Sequence, residues 1–96
     1  MAKERYQNPV VGDQINLRLF SYNSNNFADF QEIEKVDVYY LDPEEVTAEN
    51  PEGRRLVESF DGAAVVAEDT GRYSLAVSLE QDKYVIGKYV DVWVVR

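Results

Sequence analysis

Period-two alternation of apolar and polar residues is the feature that most constrains this chain. In Asp13–Phe20 (DQINLRLF) the residues Ile15, Leu17 and Leu19 share one face, while Asn16 and Arg18 share the other. Lys35–Leu41 alternates Val36, Val38 and Tyr40 against Asp37 and Tyr39, and Arg54–Phe60 repeats the pattern more weakly. Arg72–Glu80 is the cleanest run, with Tyr73, Leu75, Val77 and Leu79 on the inner face and Ser74, Ala76 and Ser78 on the outer. Lys88–Val95 sets Val90, Val92 and Val94 against Tyr89, Asp91, Trp93 and Val95. A residue spacing of two turns every second side chain to one side, so these segments are strands with one buried face each.

The remaining segments punctuate the strands. Arg5–Val11 predicts a further strand broken near Pro9, which suits a sheet edge. Ala63–Glu68 is short and fits a strand less clearly. Asp42–Asn50 is the one helical segment: Asp42 caps, Pro43 takes the first position and two glutamates follow. Pro51 and Gly53 limit it to a single turn. About seven short strands separated by turn signals, with no repeat, predict one all-β antiparallel sandwich spanning residues 1–96.

Asp69-Thr70-Gly71-Arg72-Tyr73-Ser74-Leu75 resembles the immunoglobulin E–F corner, D-[ST]-[AG]-x-Y-x-C, with Leu75 in place of the cysteine. The resemblance implies an immunoglobulin-like Greek-key sandwich with Asp69 and Gly71 turning the chain. It also implies a tyrosine corner, in which the Tyr73 hydroxyl bonds back to upstream backbone. On that frame the strands run B (13–22), C (35–41), C′ or D (54–60), E (63–68), F (72–80) and G (87–95), with F between C and G. The segments GDQINLRLFSYN, GRYSLAVSL and VIGKYVDVWVV are similar to immunoglobulin-like and macroglobulin-like domains of virion structural proteins and bacterial surface proteins.

Composition narrows function by elimination. With no histidine and no cysteine the chain lacks the usual ligands of zinc and haem, a Ser–His–Asp triad and a thiol nucleophile. No glycine-rich phosphate loop is present. Neither a catalytic set nor a cofactor is therefore expected. Eighteen acidic residues against ten basic give a net charge of −8, which disfavours nucleic acid and anionic membrane surfaces as partners. The run Asp42, Glu44, Glu45, Glu49 and Glu52 offers oxygens of the kind calcium takes, but its spacing matches no calcium loop and reads as a solvated acidic loop. Met1–Arg5 is charged and no apolar region follows, so no secretory leader is expected.

Two surfaces are expected to bind. The first is a sheet face on which Tyr39, Tyr89 and Trp93 flank the small outward residues of strand F and meet another protein subunit, including a second copy. It requires Trp93 to be buried only in an assembly. The second is a loop end where residues 23–32, with Phe27 and Phe30, lie beside residues 81–86, with Tyr84. Amide and aromatic groups there suit a protein receptor or a glycan. Together these features predict a non-catalytic structural module of a phage-type virion assembled inside the cell, or alternatively a cell-surface adhesion or carbohydrate-binding module.

Overall fold

The computed structural model describes residues 1–8, 14–23, 26–80 and 82–96. Pro9, where the first strand is expected to break, lies outside them, as do Ser24, Asn25 and Gln81 of the two expected binding loops. The chain forms β1 (Ala2–Gln7), β2 (Gln14–Phe20), β3 (Tyr22–Asn23), β4 (Asn26–Phe27), β5 (Ile33–Leu41), β6 (Arg54–Asp61), β7 (Val66–Asp69), β8 (Arg72–Ser78) and β9 (Tyr89–Val95). Single 3-10 turns occupy Pro43–Glu45 and Gly62–Ala64. The first begins as its sequence dictates, with the Asp42 carboxylate accepting from the Glu44 N–H.

Two antiparallel sheets enclose the core. One has the order β1-β9-β5-β6, the other β2-β8-β7, and β3 and β4 form a small separate ribbon. Leu17, Leu19, Tyr73, Leu75 and Val77 line the three-stranded sheet; Val36, Val38, Tyr89, Trp93 and Val95 line the other. The inward faces of β2 and β8 follow their alternation, because in each strand one face alone is apolar.

The first three strands of the expected assignment keep their places (B, C and C′), and each of the last three is shifted by one letter. An immunoglobulin sheet pair runs A-B-E-D and G-F-C, with C′ beyond C. Here β2-β8-β7 occupies B-E-D and β9-β5-β6 occupies F-C-C′. The place beside F that belongs to G is filled by β1, antiparallel to β9. Residues 72–78 therefore take the place of E, not F, and do not sit between C and G. The shift arises because β6 pairs with β5 and the last place in that sheet is filled from the N-terminal end of the chain.

Asp69–Arg72 is consequently the hairpin turn between β7 and β8. Its geometry is local chemistry: Asp69 accepts from the Thr70 N–H at 2.8 Å, and Gly71 has φ +68°. A Cβ on Gly71 would lie 2.5 Å from the Ser21 carbonyl oxygen, so close approach as well as φ requires glycine. The Tyr73 hydroxyl does bond upstream backbone, at Phe30, far along the chain. It accepts from the Phe30 N–H and donates to Asp29, which also holds the Gly71 N–H. The tyrosine corner is at Tyr89, at the start of the strand in the F place. Its hydroxyl accepts from the Val85 N–H at 2.8 Å and donates to the Val85 carbonyl at 2.6 Å.

Candidate functional site

The expected sheet-face site is divided by the core. Tyr39 lies on the outer face, half-buried, but Tyr89 and Trp93 point inward and Trp93 is 0% exposed within the single chain. Both faces of β9 are apolar, so alternation alone does not orient it. Its central position beside β5 turns the largest side chains to the core, where the Trp93 indole fills the space between sheets. The indole N–H donates to Asp91, and Gln7 donates to the other oxygen of that carboxylate at 3.1 Å. Burial pushes the Asp91 carboxyl above its ordinary range, while those two bonds pull the other way.

The two expected binding loops lie at opposite ends of the sandwich. Phe27 and Phe30 follow the end of β2, where Phe20 pairs with Arg72; Tyr84 follows the end of β8, where Ser78 pairs with Gln14. Tyr84 is 1% exposed and is a core plug, its hydroxyl donating to Glu58 at 2.7 Å. Burial, and then the adjacent Glu58 carboxylate, raise the Tyr84 hydroxyl pKa. Phe30 is half-buried and stacks on Tyr73 at 5.7 Å between centroids. Phe27 alone of these three is at the surface.

Around Phe27 the tertiary structure assembles a site from residues that the alternation left unremarked. Tyr22 and Phe27 face each other across the β3–β4 ribbon and stack at 4.7 Å. Phe20 stands 6.3 Å from Phe27, and the Arg72 guanidinium lies 4.7 Å from the Phe27 ring centre. Tyr22 remains 61% exposed. Beside these rings a surface hollow of about 330 Å³ is lined by Met1, Lys3, Phe20, Ser21, Tyr22 and Phe30. The Asp29–Tyr73–Gly71 bonds, with Ser21 N–H donating to the Gly71 carbonyl at 2.7 Å, fasten this end to the sheet. Desolvation raises the Tyr73 hydroxyl pKa, and the Asp29 bond adds to it. One signal for the site is in the sequence: Phe20 is an apolar residue on the Asn16–Arg18 face of β2, where water is the expected neighbour.

Lys3, Arg18 and Arg72 enter no salt bridge among the described residues, although the protein carries a net charge of −8. The patch is thus aromatic, with the Lys3 and Arg72 cations beside it. The acidic loop is built differently. Asp42 caps its turn and contacts Arg55 at 3.5 Å, and Glu52 pairs with Arg54. Among the described residues no three carboxylates converge as metal ligands, and no helix is long and apolar enough to cross a membrane.

The fold and this patch define a small antiparallel β-sandwich with an aromatic end. Comparison with protein-family models, with curated proteins and with solved structures returned no match.

Proposed function

We propose that the protein is a non-catalytic interaction module, a structural subunit or appendage domain of a phage-type virion, which meets a neighbouring protein subunit through its aromatic end. The observation that carries this reading is the cluster of Phe20, Tyr22, Phe27 and Arg72. Three aromatic rings and a guanidinium concentrate on one surface the side-chain types that dominate binding energy at protein interfaces. Lys3, Arg18 and Arg72, which enter no salt bridge among the described residues, favour a partner surface that is apolar at its centre and acidic at its edge.

A photoreactive side chain at position 22, in cells producing the protein with the products of its neighbouring genes, crosslinks to a structural subunit on this reading. Tyr22→Ala combined with Phe27→Ala removes the association and leaves the circular dichroism spectrum unchanged. Association untouched by the double substitution would reject this surface.

A second reading draws on the exposed Tyr22 ring. One ring face is occupied by Phe27, and the other is available to the apolar face of a sugar. A cell-surface carbohydrate-binding module then gives glycan retention that Tyr22→Ala abolishes, with no crosslink to a protein subunit.

A further inference from the structure

Strand β1 is attached to this domain in an unusual way. Its inward positions are Lys3, Arg5 and Gln7, opposite Trp93, Asp91 and Tyr89 in register; no apolar side chain of β1 belongs to the core cluster or packs against it, and Gln7 reaches the core by its amide. It is held by a six-pair ladder to β9 and by polar contacts that include Gln7 to Asp91, Glu4 to Arg54, Tyr6 to Glu52 and the Met1 backbone to Val95. A strand with no buried apolar side chain opens at lower cost than the rest of the fold. It also lies at the edge of its sheet, so it departs without unthreading.

The strand it covers has the opposite character. Tyr89, Val90, Asp91, Trp93 and Val95 of β9 are all buried. Uncovered, β9 would present a row of unpaired backbone groups at a sheet edge, a ready template for another strand, and Asp91 would lose its Gln7 partner while keeping the Trp93 indole. The groove along β9 therefore accepts a strand, and the strand that fits it is specified by backbone pairing plus a glutamate for Arg54 and an amide for Asp91. The same strand from another molecule meets that specification in full.

We propose that β1 exchanges between copies of this chain, so that the groove along β9 is the docking site for β1 of a second copy. The inference builds on the reading of the protein as an assembling subunit and names the partner; its evidence is separate from the aromatic end. Reciprocal exchange closes a two-fold pair, and sequential exchange makes an open chain of subunits.

The Glu4–Arg54 contact supplies the test. Glu4→Arg and Arg54→Glu chains each repel their own β1, but mixed together each β1 meets an opposite charge on the other chain. The mixture then sediments as a heterodimer while each variant alone does not. A second measurement locates the contact: Ala2 and Val94 face each other in register, and the chain has no native cysteine. Oxidising mixed Ala2→Cys and Val94→Cys chains gives mixed disulfide dimers several-fold above like-with-like dimers, and Tyr22→Ala leaves that ratio unchanged. Two monomeric species in the charge-swap mixture, with mixed disulfides at no more than the statistical share, would overturn the proposal.

Discussion

The guanidinium of Arg54, on one edge strand of the four-stranded sheet, forks onto the carboxylate of Glu4 on the opposite edge strand, with N–O distances of 3.1 and 2.8 Å. The same guanidinium reaches Glu52 and the Tyr6 hydroxyl, which itself donates to Glu52. The bidentate Glu4 contact holds Arg54 protonated and Glu4 ionised, and the bonds from Tyr6 and Arg54 lower the pKa of Glu52. Val90 lies on this outer face, between Tyr6 and Tyr39 in register, and is fully buried.

Arg54→Ala removes the fork, costing about 1 kcal/mol, the upper end for a solvent-facing ion pair. Arg54→Lys keeps the charge but loses the paired N–H geometry, and recovers only part of that. Urea unfolding at low and high salt checks this. The absence of any wild-type advantage over Arg54→Ala at low salt would show that the fork contributes nothing.

Trp93 is the sole tryptophan, so its emission reports one environment. In the dilute protein the emission is blue-shifted and resists aqueous quenchers, and neither property changes with concentration. Trp93→Ala costs about 3–5 kcal/mol, as for a large core side chain. A water-like spectrum in dilute solution that shifts on association would restore the surface role expected from alternation alone.

Asp91 gives the fold a pH dependence of unusual sign. Its folded pKa is raised by burial, so the folded state takes up this proton more readily than the unfolded chain. The penalty of the buried charge is present in full above that raised value and fades as pH falls towards the ordinary aspartate range of about 4. Glu4 and Glu52 act oppositely: their lowered values contribute stability above the ordinary glutamate range, lost as pH falls through their folded values. Chemical denaturation from about pH 7 to about pH 2 shows a gain on acidification before the acid loss. Asp91→Asn removes the gain and leaves the loss; an unaltered profile in that variant would assign the gain to another group.

How far the sequence reached depended on how local each determinant was. The bounds of β2, β5 and β8 and the capped turn at Asp42 were legible, since alternation and capping involve neighbours in the chain. The Asp69–Gly71 turn was legible as a turn, and its identity as a corner was not. A hairpin between two strands of one sheet and a crossover between sheets use the same aspartate and glycine chemistry. The tyrosine of the corner, Tyr89, reads in sequence as one more aromatic residue of an apolar strand.

By itself the sequence determined that this chain is β, where most of its strands begin and end, and which face of β2 and β8 is inward. Each of those follows from side chains two residues apart. The tertiary structure decided that β1 lies beside β9, that Trp93 is core, that Phe27 and Phe30 are at the opposite end from Tyr84, and that Phe20, Tyr22, Phe27 and Arg72 meet. Those outcomes depend on which strands pair. Pairing is set by the burial of both faces of β9 and by long-range contacts such as Glu4 with Arg54, which leave no periodic trace in the chain.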